Sequence, residues 1–99
     1  MEVQVYWLHM IEMYVVVSGK VQGVMYRAYV QEAATNLGIT GYTKNAPDGT
    51  VLILAQGMPE VLKEFVEYLY EGSSLSAVDS LGIDWRSINT TYAEFSVLH

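Results

Sequence analysis

Apolar and polar residues follow one another along this chain with a period that switches from two to near four and back, marking a succession of strands and helices. Tyr14-Val15-Val16-Val17 is a β-branched apolar run that stops at Ser18-Gly19, the pattern of a buried central strand. After Gly23 the apolar positions Tyr26, Val30, Ala33, Ala34 and Leu37 recur at spacings of three, four and seven, and Gly38 follows as a helix stop. Residues 39–44 and 50–56 flank Asn45-Ala46-Pro47-Asp48-Gly49, whose Pro and Asp-Gly chemistry predicts a turn between antiparallel strands. Gly57-Met58-Pro59 then breaks the chain, with Pro59 suited to a first helical turn. Val61, Leu62, Phe65, Val66 and Leu69 form one stripe opposite Glu60, Lys63, Glu64, Glu67 and Glu71, which predicts an amphipathic helix ending at Gly72. Beyond the Ser73-Ser74 loop, Leu81, Ile83 and Trp85 alternate with Ser80, Gly82 and Asp84, and a short last strand is predicted within 93–98.

The order βαββαβ is the split βαβ arrangement, an α+β, ferredoxin-like fold in which two helices pack on one face of an antiparallel sheet. Its 99 residues, 52% of them apolar, suffice for one core and leave no room for a second. No repeat or low-complexity linker interrupts the chain.

Composition removes several classes of function. There is no cysteine, so thiolate metal sites, disulfides and a Cys nucleophile are excluded. Residues 1–17 carry Glu2 and Glu12 without a basic start, which argues against a signal peptide or membrane span and makes a cytoplasmic protein the expectation. A net charge of −6 disfavours nucleic acid as partner, because phosphate neutralisation needs clustered cations. The charge is uneven, however. Residues 13–57 hold Lys20, Arg27 and Lys44 against Glu32 and Asp48, a net +1, while the remainder holds Lys63 and Arg86 against nine acids, a net −7. Chance would produce such a distribution about as readily as an anion site would.

The segment Gly19-Lys20-Val21-Gln22-Gly23-Val24-Met25-Tyr26-Arg27 joins the first strand to the first helix, so backbone N–H groups and the positive helix end converge where a phosphate could sit. It lacks the spacing of a Walker loop, and two glycines alone are a weak signal. Arg27 can add a planar fork matching phosphate geometry, or be a surface helix arginine. Asn45, at the end of a strand, can orient water through its amide or cap the turn. Strand alternation sends Lys44 and Asn45 to opposite faces, and Asn45 is preferred for the site. His9 and His99 lie near the termini without partner ligands, so no metal is assigned. Trp7, Trp85 and the eight tyrosines lack the basic strand signature of an RNA-binding sheet and are read as core or sheet surface.

These residues carry a resemblance. The pattern Gly19-x-Val21-Gln22-Gly23-Val24-x-Tyr26-Arg27, followed by Gly41-Tyr42-Thr43-Lys44-Asn45-Ala46-Pro47-Asp48-Gly49-Thr50-Val51 and then Ala55-Gln56-Gly57, resembles both signature segments of the acylphosphatase family. The similarity runs from about Met13 to the C-terminus, with Ser76-Ala77-Val78-Asp79 like the family's start of the fourth strand. The resemblance implies hydrolysis of an acyl phosphate to a carboxylate and inorganic phosphate. It further implies that the backbone of Val21, Gln22, Gly23, Val24, Met25, Tyr26 and Arg27, with the Arg27 side chain, binds the phosphoryl group, and that Asn45 positions the attacking water. No acid or histidine lies in the first motif, which fits the family proposal that a substrate oxygen accepts the water's proton. No metal or cofactor is implied.

The chain departs from the family pattern at Tyr26, where Phe is more familiar, at Met25, and at Ala77 in place of a common Arg. Residues 1–12 have no counterpart and are assigned as an N-terminal extension to a domain of 13–99. Either Met10 or Met13 is the true start, or Val3, Val5 and Trp7 form an added strand that could pair with a neighbour, so a monomer is expected with a dimer through the extension as the alternative. The competing function is a phosphate-binding regulatory module on the same scaffold.

Overall fold

A computed structural model describes residues 9–99. In chain order the elements are β1 (Ile11–Lys20), α1 (Tyr26–Asn36), β2 (Thr40–Asn45), β3 (Val51–Gly57), α2 (Pro59–Glu71), β4 (Ala77–Arg86) and β5 (Phe95–Val97). The α+β, ferredoxin-like arrangement with two helices on one sheet face is present. The sheet order is β4-β1-β3-β2-β5.

Strand alternation sets the two faces. Met13, Val15 and Val17 of β1 are fully buried and pair in register with Ala55, Ile53 and Val51 of β3. Onto this apolar face α1 lays Val30 and Ala34, and α2 lays Leu62, Phe65 and Leu69, closing one core. Tyr14 and Val16 point to the opposite face, so the run expected to be buried on both sides is one-sided. There Arg86 stacks over the Tyr14 ring, and Tyr92 meets Tyr42 edge-on.

Two expectations shift. The sheet is mixed rather than wholly antiparallel, because β5 runs parallel to β2, pairing Phe95 with Gly41 and Val97 with Thr43. The reason is geometric. β4 ends beside Glu12, at the same end of the sheet where β2 begins beside Gln56, so the 87–94 segment crosses to the far edge there and β5 must then run alongside β2. Second, Ile11 and Glu12, placed in the extension from sequence, pair with Gly57 and Gln56 as the first residues of β1. The proposed strand of Val3, Val5 and Trp7 lies outside the described residues. Among the described residues no helix is long and apolar enough to cross a membrane.

This topology gathers the ends of β1, β2 and β5, the start of β3 and the start of α1 at one end of the molecule. That end is the one carrying the 19–27 segment.

Candidate active site

The loop between β1 and α1 begins at a bulge. Register between β1 and β4 shifts at Ser18/Gly19, and Gly19 has φ 127°. A Cβ at Gly19 would run into the Ala77 carbonyl, so only glycine allows β4 to lie this close while the chain turns away. Further on, Gly23 (φ 74°) and Met25 (φ 63°) are both left-handed, flanking Val24. Such alternation turns successive N–H groups toward one side, as in an anion-binding nest. Met25 occupies the cap position of α1 yet supplies no side-chain hydrogen bond. The first amides of α1 thus keep their protons available, and the helix dipole adds partial positive charge at the same place.

Three side-chain contacts brace this loop from different elements. Gln22 Nε2 donates to the carbonyls of Ala46 (2.8 Å) and Thr50 (2.9 Å), tying the loop to the β2–β3 turn. Ser73 Oγ donates to the Val24 carbonyl at 2.8 Å. Tyr26, 1% exposed, sends its hydroxyl to the Leu69 carbonyl at 2.8 Å in the last turn of α2. Burial, and then neighbouring Tyr29, hold the Tyr26 phenol well above its ordinary pKa, so it is a neutral donor at and well above neutral pH. The β2–β3 turn is itself fixed by Asp48, whose Oδ1 accepts from the Thr50 N–H at 3.0 Å and the Thr50 hydroxyl at 2.6 Å. Those bonds, the hydroxyl's first, hold the Asp48 carboxyl below its usual pKa.

Arg27, the second residue of α1, is half-buried, and its terminal nitrogen donates to the Leu98 carbonyl at 2.8 Å. Val21, Gly23, Met25, Arg27, Val97 and His99 line a cavity of about 320 Å³ here. Asn45 pairs with Val51, which pairs in turn with Val17, so it shares the helix-bearing face with core residues while Lys44 falls on the other. It is exposed at the sheet end and stands outside the cavity lining, beside the Ala46 carbonyl that Gln22 grips. His99, which has no ligand partner in the sequence pattern, is brought to this rim by the parallel course of β5. Reasoning from sequence gave Gln22 only a backbone role, whereas its side chain is the brace. Among the described residues no group of three or more His, Asp or Glu side chains is placed to hold an ion.

Fold and site together define a small ferredoxin-like domain with a braced strand-to-helix loop suited to an oxyanion. The family profile described as Acylphosphatase matches residues 13–97. An acylphosphatase of Methanococcoides burtonii is 40% identical over 81 residues, spanning 82% of this chain and 84% of the relative. Solved structures agree: the acylphosphatase from Bacillus subtilis superposes with a TM-score of 0.87 at 34% identity, covering 90% of this chain and 99% of that one. The acylphosphatase from Coxiella burnetii gives 0.85 at 33% identity, covering 92% and 95%. The chain belongs to the acylphosphatase family and is a hydrolase.

Proposed function

We propose that the loop of Val21 to Arg27 receives the phosphoryl group of an acyl phosphate, with the Arg27 guanidinium on its oxygens and Asn45 holding the attacking water. The supporting observation is the pair of left-handed residues, Gly23 and Met25, a backbone pattern that suits an anion-binding nest, at the sheet end where Arg27 and Asn45 also lie. The water oxygen attacks phosphorus while the bond from phosphorus to the carboxyl oxygen breaks. The electron pair leaves with the carboxylate, and the water's proton passes to a non-bridging phosphoryl oxygen. No side-chain base is needed, because such a transfer depends chiefly on positioning and charge stabilisation. Amides fixed in advance supply both without reorganising at the moment of reaction.

The proposed form of action is as a monomer on a small acyl phosphate. The cytoplasm, where ATP-dependent phosphorylation forms acyl phosphates, is the proposed place of action. The test is hydrolysis of an aromatic acyl phosphate by the purified protein in the presence of EDTA, with inorganic phosphate as competitive inhibitor. Phosphate binding without turnover would instead make the protein a phosphate-binding module.

A further inference from the structure

Met25 is the one non-glycine residue with positive φ among the described residues, and at 72% it is more exposed than any other large apolar side chain there. Both features are unfavourable for the folded chain alone. A left-handed backbone is strained for a residue with a Cβ, and an exposed thioether gains nothing from burial. Strained positions of this kind cluster where a ligand is held. Met25 lines the cavity that Arg27 also lines, with its side chain largely exposed.

That cavity has two chemical sides. Loop amides and Arg27 offer donors and positive charge, while Met25, Ala28 and Val97 offer apolar surface. In-line displacement places the leaving group opposite the incoming water. Asn45, proposed to hold that water, stands outside the cavity lining. With the water on the Asn45 side of the phosphoryl group, the departing carboxylate would leave on the other side, where the exposed Met25 lines the cavity.

Resting on the phosphoryl-transfer reading above, we propose that Met25 is the specificity-determining platform for the acyl group, favouring acyl phosphates with an aromatic or other extended apolar acyl chain over small ones. A flexible, polarisable thioether adapts to varied apolar shapes and makes favourable contact with ring edges. Selection then comes from contact with the leaving portion of the substrate, while the loop amides bind the phosphoryl group common to all substrates.

The experiment compares kcat/KM for benzoyl phosphate and acetyl phosphate in the wild type, Met25→Leu and Met25→Asn, and reads only the ratio of the two, so that any loss shared by both substrates cancels. Asn tolerates the left-handed conformation but removes the apolar surface, and Leu keeps that surface. The benzoyl-to-acetyl ratio is expected to fall about three- to tenfold in Met25→Asn and to stay within about twofold of wild type in Met25→Leu, the size of change that one apolar contact produces. Wild-type turnover with a ratio unmoved in Met25→Asn would overturn the role of Met25 alone. Absence of wild-type turnover on both substrates would overturn the hydrolytic reading and this inference with it.

Discussion

The Arg27 guanidinium and the Leu98 carbonyl meet at 2.8 Å across 71 positions of sequence. Leu98 in turn donates its N–H to the Thr43 carbonyl, two residues before Asn45. The first turn of α1 and the end of β2 are therefore coupled through the C-terminal segment, and the two residues assigned to phosphate and water share one support.

That arrangement separates the roles of the two side chains kinetically. Arg27→Ala removes the charged fork from both ground and transition states, so KM should rise while kcat falls about 10²–10³-fold. Asn45→Ala should lower kcat with KM little changed, because water orientation contributes only to the reacting complex. Steady-state kinetics on an aromatic acyl phosphate decides, and equal KM effects from both variants would contradict the assignment.

Gln22→Ala tests whether the loop is held by its side chain. The substitution removes one of two donors from each of the Ala46 and Thr50 carbonyls, which keep the N–H groups of Gly49 and Ala46, at a cost of about 1 kcal/mol in stability. A loop no longer fixed to the β2–β3 turn also misplaces its amides, and a displacement of about 1 Å can cost up to 10²-fold in rate. Thermal unfolding and kcat/KM should fall together. Unchanged activity in a destabilised variant would show that the loop keeps its shape without the brace.

How far the chain disclosed this architecture depends on the range over which each feature is encoded. The first strand was legible from the unbroken apolar run Tyr14 to Val17, though not its one-sided burial, and the helices because Val30 and Ala34, or Leu62, Phe65 and Leu69, repeat with period near four. Strand alternation also separated Lys44 from Asn45, while the pairing of Asn45 with Val51 and of Val51 with Val17 decides which of the two takes the helix-bearing face. By contrast, the Gln22 brace joins a side chain to backbone carbonyls 24 and 28 residues away, and carbonyl acceptors leave no mark in residue identity. The parallel course of β5 depends on where the 87–94 segment crosses the sheet, a property of the assembled topology. The position of His99 at the site rim follows from that course alone.

Tyr26→Phe should destabilise the protein by about 1–2 kcal/mol near neutral pH, since the Leu69 carbonyl loses a buried donor. The pH dependence has a defined sign. Folding raises the phenol's pKa above its ordinary value, so its contribution is complete below that value and is lost as pH climbs toward the higher folded one. Denaturant unfolding of both proteins should thus show a stability gap that narrows in strongly alkaline solution. A gap that widens there would mean that the hydroxyl is not held neutral by burial.

Asp48 gives the opposite dependence. Its carboxyl titrates below the usual range because it accepts two bonds from Thr50, so its contribution is present above the ordinary carboxylate pKa and disappears as pH falls through the lower folded value. Since Thr50 also receives Gln22, protonation loosens the turn to which the loop is tied. Asp48→Ala should lower the unfolding temperature near pH 7 and differ less from wild type below about pH 4. A difference independent of pH would assign the effect to turn shape rather than to charge.

Thr43 is fully buried on β2, paired with Ile53 on one side and Val97 on the other, and its Oγ1 has no hydrogen-bond partner. A buried hydroxyl without a partner costs about 1–3 kcal/mol relative to water. Valine keeps the β-branched shape that suits a strand and replaces the hydroxyl with a methyl. Thr43→Val should therefore stabilise the protein by about 1 kcal/mol or more, raising the midpoint of thermal unfolding by about 4–8 °C for a domain of this size. A lower midpoint would show that the hydroxyl contributes to the folded state, and the accounting of polar groups beneath the site would then have to include a bound water.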